Sequence, residues 1–128
     1  MLAGIGVDIV DIARIEAAIN RHGRQFIDRV FTKAEIKYCS SRPRPAQNYA
    51  ARFAAKEAVF KILRTGLSGG IRWTDVEIIN DPAGCPSARL RRAARDTAQR
   101  LHIAKIHLSI SHTHSLSIAI ASADKKSP

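Results

Sequence analysis

An acidic residue interrupts the apolar segment at the start of the chain. Asp8 lies in residues 2–10 (LAGIGVDIV), and in an extended strand it shares one face with Gly4 and Gly6. Because glycine has no side chain to cover a neighbour, this carboxylate must be solvated, hydrogen-bonded or bound to a cation. Position alone weights two interpretations equally: an acid satisfied by backbone donors or an arginine, and a ligand of a hard cation such as Mg²⁺, which prefers one or two carboxylates with substrate phosphates.

Charged residues also recur at helical spacing in the segment RFAAKEAVFK (52–61). Glu57 and Lys61 are four residues apart and share a helix face, and Arg52 and Lys56 form a second such pair. An isolated surface pair of this kind contributes roughly 0.2–0.5 kcal/mol and needs no function. The apolar residues in and just after the segment indicate a mostly buried helix, on which charges point into a site: Phe53, Ala54, Val59, Phe60 and Leu63.

A third candidate is the segment Ser111-His112-Thr113-His114 near the C-terminus. Histidines with this spacing can ligate a metal, but exposed turn residues are the commoner case, and we favour a turn. Hydroxyl groups, backbone N–H groups and an imidazole on a tight turn also suit a phosphate. The sequence contains no Walker A loop, dinucleotide fingerprint, HExxH or GxSxG motif, so these three segments are the candidates for chemistry.

The charge balance predicts an anionic partner. The 128 residues include 21 Lys and Arg against 11 Asp and Glu, a formal charge of +10, which suits nucleic acid, a membrane surface, a phosphorylated ligand or an acidic protein. Aromatic residues make up only 5% of the chain, too few for the stacking surface of a single-strand binder. Asp8, Asp11 and Arg14 interrupt the apolar N-terminus before a signal peptide or membrane span could form, and Cys39 and Cys85 lack zinc-site spacing. We therefore expect a cytoplasmic protein with free thiols.

The elements that must position these residues alternate irregularly between strand and helix. Strands are predicted at 2–10, 74–80, 106–111 and 116–121, and helices at 11–23, 32–40, 46–64 and 91–101. Asp11 is the expected cap of the first helix, Thr32 and Glu35 have capping-box spacing in the second, and Gly66 is the expected stop of the third. This order favours the α+β class, with a single domain over 1–123 and a short polar tail over 124–128.

Five segments together resemble a known family. They are GIGVDIVDIARIE (4–16), FTKAEIKYC (31–39), ARFAAKEAVFKIL (51–63), NDPAGCP (80–86) and ISHTHSLSIAIA (110–121), and they span nearly the whole chain. In this order they are similar to the small bacterial holo-[acyl-carrier-protein] synthase type of 4′-phosphopantetheinyl transferase, with GVDIV and RFAAKEAVFK as the specific motifs. The resemblance implies the fold of that superfamily, a small antiparallel sheet packed with a long helix, assembled as a homotrimer.

The resemblance also implies roles for individual residues. Asp8 and Glu57 correspond to carboxylates that hold Mg²⁺ against the coenzyme A pyrophosphate, and Lys61 to a lysine that contacts the phosphate. Further coenzyme A-binding positions are implied by the same resemblance at Arg52, Gly84, Pro86, Ser111 and His112.

An acidic acyl carrier protein is the second partner that the resemblance implies. Arg14 corresponds to a docking position, and Arg21 and Arg24 extend it. The implied reaction moves the phosphopantetheine arm of coenzyme A onto a serine of apo acyl carrier protein and releases adenosine 3′,5′-bisphosphate. Either Glu57 or Glu35 is the implied base, acting through water, although a capping partner of Thr32 is the stronger role for Glu35.

Two rival functions belong to other classes. A basic nucleic-acid-binding module is favoured by the net charge and by the basic helix at 91–101, but it is disfavoured by the scarce aromatic residues and the acids among the bases. A non-catalytic adaptor for the carrier protein needs only a basic helix. The joint presence of Asp8, Glu57 and Lys61 favours catalysis over both.

Overall fold

The computed structural model describes residues 1–64 and 68–128, and its regular elements follow the mixed order that the sequence predicts. The strands and helices are, in chain order, β1 (Leu2–Asp11), α1 (Ile12–His22), α2 (Arg24–Val30), α3 (Lys33–Ser40), α4 (Pro45–Leu63), β2 (Val76–Asn80), β3 (Pro86–Leu90), α5 (Arg92–Arg100), β4 (Ile103–His112) and β5 (Leu116–Lys125). Short 3₁₀ turns occur at Ser68–Gly70 and Trp73–Asp75. The predicted helix stop at Gly66 lies outside the described residues.

The strands form two antiparallel sheets. The larger has the order β1-β5-β4, and β2 pairs with β3 in a separate two-stranded ribbon. Helix α4 packs across one face of the larger sheet, where Ala119, Ala121 and Ala123 of β5 are fully buried. The small alanine side chains let the helix approach the sheet closely. The predicted α+β class, with a small antiparallel sheet packed against a long helix, is thus confirmed.

A glycine in β1 sets the distance between this strand and α4. A Cβ atom on Gly6 would lie 2.1 Å from the carbonyl oxygen of Ala58, which is far inside van der Waals contact. Only glycine therefore allows the strand to lie against the helix backbone here. The contact places Asp8, two residues further along the same strand face, beside the middle of α4.

The apolar face of β1 does not face the core. Ile5, Val7 and Ile9 share one face as predicted, but their exposed fractions are 64%, 46% and 61%. On the neighbouring strand β5, Ile118 and Ile120 extend the same exposed surface, since they pair directly with Ile9 and Val7. We call the surface formed by these residues and Leu116 the apolar sheet face.

The element boundaries differ from the predictions in several places. Helix α2 and strand β3 were not predicted, and residues 74 and 75, predicted as the start of a strand, belong to the 3₁₀ turn at Trp73–Asp75. The capping box of Thr32 and Glu35 is present, whereas Asp11 occupies the N-cap position of α1 without a side-chain hydrogen bond. Strand β5 extends to Lys125, two residues into the predicted polar tail. Among the described residues, no helix is both long and apolar enough to cross a membrane.

Candidate active site

Two carboxylates and a lysine meet where β1 crosses α4. Asp8 points to the helix side of the sheet, and its side chain is 20% exposed. Lys61 donates a 2.6 Å hydrogen bond to the carbonyl oxygen of Val7, and its Nζ lies 3.4 Å from Asp8 Oδ1. Among the residues that the structure describes, Asp8 is thus satisfied neither by backbone donors nor by an arginine, but by the lysine that the sequence places one helix turn after Glu57.

Asp8 and Glu57 line the same cleft of about 350 Å³, together with Arg14 and the rings of Phe26 and Phe53. Burial raises the pKa of the Glu57 carboxyl above its usual value, the charge of Asp8 raises it further, and Lys61 opposes the shift. We call this space the carboxylate cleft. The carboxylates of Asp8 and Glu57 carry like charges and repel each other, and the single charge of Lys61 cannot neutralise both.

This donor set fits Mg²⁺. The ion takes one or two carboxylates and fills its remaining positions with water and phosphate oxygens. Within residues 1–64 and 68–128, no three His, Cys, Asp or Glu side chains gather in a possible metal site, so Asp8 and Glu57 would be the only protein ligands of this kind. A divalent cation would also remove the repulsion between them.

A second cleft lies between α3, α4 and the turn after β2. It has a volume of about 370 Å³ and is lined by Tyr38, Arg42, Arg52 and Gly84, among others. The guanidinium group of Arg52 lies 4.0 Å from the centre of the Tyr38 ring, and that of Arg42 lies 4.1 Å from it. We call this space the arginine cleft, and its cations suit a phosphate.

Arg52 is held in the arginine cleft with unused hydrogen-bonding capacity. Arg52 is only 4% exposed, and the hydrogen bond from its Nη2 to Asn80 Oδ1 is long at 3.4 Å. Among the residues that the structure describes, nothing accepts a hydrogen bond from its buried Nε. A buried donor without a partner indicates a missing acceptor, such as an anionic ligand. The sequence predicted Arg52 but missed Tyr38 and Arg42; the only local signal was a second arginine in the RPRP turn.

Two predicted coenzyme A positions flank the arginine cleft. Gly84 has a φ of +91°, which favours glycine, and closes a turn in which its N–H bonds to the Asp81 carbonyl oxygen at 2.9 Å. Pro86 begins β3 directly after this turn. Gly84 lines the cleft, whereas Pro86 is not among its lining residues.

Ser111 and His112 lie at the end of β4, away from the carboxylate cleft. The His112 ring is hydrogen-bonded to the side chain of Gln47, in the first turn of α4. Gln47 precedes Glu57 by ten residues, which is about 15 Å along the helix. The fold of one chain therefore does not bring the predicted phosphate-binding turn to Asp8 and Glu57.

The predicted docking residues share one exposed region at the start of the chain. Arg14 and Arg21 are seven residues apart on α1 and therefore lie on the same helix face. Arg24 begins α2 and forms an exposed 2.8 Å ion pair with Asp28. Arg14 also lines the carboxylate cleft, so the basic surface adjoins this cleft.

Glu35 lies apart from both clefts. The residue is 1% exposed, and its carboxylate accepts hydrogen bonds from the backbone N–H groups of Thr32 and Ile78, each at 2.8 Å. It also forms a 2.8 Å ion pair with the fully buried Lys56. Burial lowers the Lys56 pKa, and Glu35 opposes this shift. A carboxylate enclosed by these donors cannot reach a serine of another protein, so the structure does not support Glu35 as the base.

Comparison with known proteins identifies the family. Residues 4–121 match the 4′-phosphopantetheinyl transferase superfamily. The holo-[acyl-carrier-protein] synthase of Koribacter versatilis is 43% identical over 119 residues, covering 93% of this chain and 95% of the relative. That of Protochlamydia amoebophila is 48% identical over 121 residues, covering 94% of this chain and 97% of the relative.

Solved structures agree with the sequence relatives. The crystal structure of holo-[acyl-carrier-protein] synthase from Neisseria meningitidis matches with a TM-score of 0.90 and 31% identity, covering 98% of this chain and 100% of that one. The Helicobacter pylori enzyme in complex with coenzyme A matches with a TM-score of 0.83 and 30% identity, covering 94% and 100%. The resemblance found in the sequence motifs is confirmed, and the chain belongs to the 4′-phosphopantetheinyl transferase superfamily and, within it, to the family of the holo-[acyl-carrier-protein] synthases.

Proposed function

We propose that this protein transfers the 4′-phosphopantetheine group of coenzyme A to a serine of apo acyl carrier protein, producing holo acyl carrier protein and adenosine 3′,5′-bisphosphate. The observation that carries the proposal is that Asp8 of β1 and Glu57 of α4 line the carboxylate cleft, while Lys61 contacts Asp8. Relatives named for this activity, and one solved with coenzyme A, support the same substrates.

The reaction exchanges one phosphorus–oxygen bond for another. The serine Oγ bonds to the phosphorus that carries pantetheine, its proton passes to a base, and the bond from that phosphorus to the bridging oxygen of the pyrophosphate breaks. The bridging oxygen leaves with the electron pair as part of adenosine 3′,5′-bisphosphate. Negative charge grows on the phosphates during this exchange, so a site for it needs fixed positive charge.

Lys61 and the two acids of the carboxylate cleft divide this work. Lys61 would stabilise the charge that develops on the phosphate. Asp8 and Glu57 would hold Mg²⁺, which offsets phosphate charge and orients the reacting oxygens when it is bound. We assign the serine proton to Glu57, through water, because this carboxylate lines the cleft beside Asp8.

The arginine cleft would hold the nucleotide end of coenzyme A. Within the described part of the chain, Arg52 offers a buried Nε donor without a partner, and Arg42 adds a second cation over the Tyr38 ring. Gly84 lies in the neighbouring turn, at a φ that only glycine readily takes, and Pro86 follows it at the start of β3. Ser111 and His112 would complete the phosphate contacts.

These parts suggest a site shared between copies of the chain. Arg52 and Glu57 are five residues apart on α4, which corresponds to about 140° around the helix. The two clefts therefore open on different sides of α4. We propose that the apolar sheet face packs in a homotrimer, in which the arginine cleft and His112 of one copy complete the carboxylate cleft of a neighbour.

The basic surface at Arg14, Arg21 and Arg24 would dock the acidic carrier protein next to the carboxylate cleft. We propose a cytoplasmic location, because both Cys39 and Cys85 are free thiols, as expected in a reducing compartment. The site does not favour nucleic-acid binding, because Asp8 and Glu57 would repel a phosphate backbone.

The test is a mass measurement on the carrier protein. The protein is incubated with apo acyl carrier protein, coenzyme A and Mg²⁺, while a known transferase acts on the same carrier protein in parallel. We expect the carrier protein to gain the mass of one phosphopantetheine group. An unchanged mass, with the parallel reaction complete, would refute the proposed function.

A further inference from the structure

The longest helix carries a fully buried lysine that the proposed reaction does not use. Lys56 lies on α4 directly before Glu57, and its side chain has no exposed surface. Its ammonium group has three donors and meets three acceptors: Glu35 Oε1 at 2.8 Å, the Trp73 carbonyl oxygen at 3.1 Å, and the Val76 carbonyl oxygen. The buried charge is therefore completely satisfied.

Helix α4 has no single apolar stripe to fix its rotation about its own axis. Ala54, Ala55 and Lys56 are consecutive residues that point in different directions, and all three are buried. Apolar contacts are non-directional, so the buried alanines do not set the rotation of the helix as narrowly as directed bonds do. The hydrogen bonds of Lys56 are directional and end on α3, on the 3₁₀ turn at Trp73–Asp75 and on β2.

Glu35, the acid that pairs with Lys56, is itself fixed by hydrogen bonds. Glu35 accepts the N–H of Thr32 at the start of α3 and the N–H of Ile78 in β2. The pair therefore ties α4 to two elements through atoms that have no alternative partner in water. Buried polar networks of this kind specify one arrangement where apolar packing alone allows several.

We propose that Lys56 is a positioning residue of the active site: through its bonds to α3, the 3₁₀ turn and β2, it fixes the rotation of α4 and so keeps Glu57 and Lys61 facing Asp8. The inference rests on the proposed function of the carboxylate cleft. Glu57 is the next residue, so a rotation of the helix moves its carboxylate directly. A misplacement of about 1 Å can lower a rate on the order of 10²-fold.

The first variant is Lys56→Met, which keeps the length of the side chain and removes its directed bonds. We expect the half-saturating Mg²⁺ concentration for transfer to rise about 10- to 100-fold, as is typical when a residue that supports a metal ligand is lost. The KM for the carrier protein should stay near the wild-type value because the docking arginines are untouched. The rise in Tm that Mg²⁺ with coenzyme A produces should shrink, which gives a readout independent of turnover.

A double variant separates positioning from stability. Lys56→Met alone leaves a buried carboxylate without its cation and is expected to lower Tm strongly. Glu35→Gln/Lys56→Met removes both charges and should recover part of that Tm, while the Mg²⁺ requirement stays raised. A double variant that recovers wild-type Mg²⁺ dependence together with Tm would overturn the proposal.

The matched control is Val76→Ala. It opens a small cavity in the same strand but keeps the carbonyl oxygen that Lys56 uses, so Tm should fall without a change in the Mg²⁺ requirement. A raised requirement in this control would show that any loss of stability near β2 has the same effect and would refute a specific role for Lys56. If the wild type shows no transfer at all, the proposed function fails, and the position of Glu57 is still tested by the Mg²⁺-dependent Tm rise.

Discussion

At the scale of single residues, the carboxylate cleft is a site with too much negative charge for its surroundings. Glu57 is half-buried next to Asp8, and both effects raise its pKa, while Lys61 balances only part of the charge. Active sites commonly keep such an arrangement because the charge is needed for a ligand. The repulsion between Asp8 and Glu57 should lower the stability of the protein measurably when no ligand is present.

Replacing Glu57 by Gln should therefore stabilise the protein at pH 7 without Mg²⁺. A carboxyl whose pKa is raised in the folded state binds its proton more tightly there than in the unfolded chain, so the wild type gains stability as the pH falls through the raised pKa. The Tm advantage of Glu57→Gln should accordingly shrink toward pH 5, and Mg²⁺ with coenzyme A should reverse it. A difference that does not change with pH would contradict this account.

Arg14 should contribute mainly to binding of the carrier protein. We expect Arg14→Glu to raise the KM for the carrier protein about tenfold, the effect of roughly 1.4 kcal/mol of lost interaction, with a smaller change in kcat. The effect should weaken as salt is added.

The control for this reversal is Arg95→Glu, which changes an exposed residue of α5 by the same charge. If both variants raise the KM equally, net charge alone attracts the carrier protein and Arg14 has no docking role. Steady-state kinetics at two salt concentrations distinguish the two outcomes.

The sequence revealed site residues only where the signal was local. Glu57 and Lys61 could be recognised because their spacing puts them on one helix face, and Asp8 because it breaks an apolar strand. Tyr38 could not be recognised, because its importance comes from two guanidinium groups that tertiary folding brings to its ring. The same holds for Lys56, which resembled the partner of Arg52 by spacing but pairs with Glu35 of another helix.

At the scale of elements, the contact between β1 and α4 determines whether the site forms. The strand and the helix bring Asp8 and Glu57 from parts of the chain almost fifty residues apart. The strand lies against the helix backbone at Gly6, where a Cβ atom would meet the Ala58 carbonyl oxygen, which cannot yield easily.

Gly6→Ala should therefore separate the strand from the helix and weaken both folding and catalysis. We expect a loss of about 1–3 kcal/mol in the free energy of unfolding, measured by urea denaturation, with a clear loss of transfer. Gly4→Ala is the matched control, because its Cβ would lie 3.4 Å from Ile62 Cγ2, an ordinary contact. Equal destabilisation by the two substitutions would contradict the proposed role of Gly6.

Strong local signals predicted most elements, and weak ones were missed. The apolar segments of β1, β4 and β5 and the long helix α4 were all expected, as was the capping box of α3. Helix α2 was missed because its seven residues are too short for a full apolar pattern, and β3 because Pro86 and Ala88 are poor strand formers. Both elements are stabilised by their neighbours, β3 through its pairing with β2.

At the scale of the whole molecule, the apolar sheet face is the feature that one chain alone does not explain. Ile5, Val7 and Ile9 of β1 lie beside Ile118 and Ile120 of β5, and all are exposed. A contiguous apolar surface of this kind marks an interaction site. A homotrimer would cover it and bring the arginine cleft of one copy toward the carboxylate cleft of another.

Ile120→Lys should therefore dissociate the assembly. A lysine in the middle of a buried apolar interface has no partner for its charge, so we expect a monomer by light scattering after size exclusion, with transfer reduced at least tenfold. Gln99→Lys on α5 adds the same charge outside this face and should leave mass and rate unchanged. A wild-type protein that is already monomeric and active would refute the shared site.

A Mg²⁺ titration of the transfer rate tests whether Asp8 and Glu57 hold the magnesium that phosphopantetheine transfer needs. Wild type, Asp8→Asn and Glu57→Gln are compared at equal folded concentration, with the mass of the carrier protein as the readout. We predict Mg²⁺-dependent transfer by the wild type and a loss of about 100-fold or more in each variant, with folding intact by circular dichroism. A variant that keeps a near-normal rate at low Mg²⁺ would contradict the account.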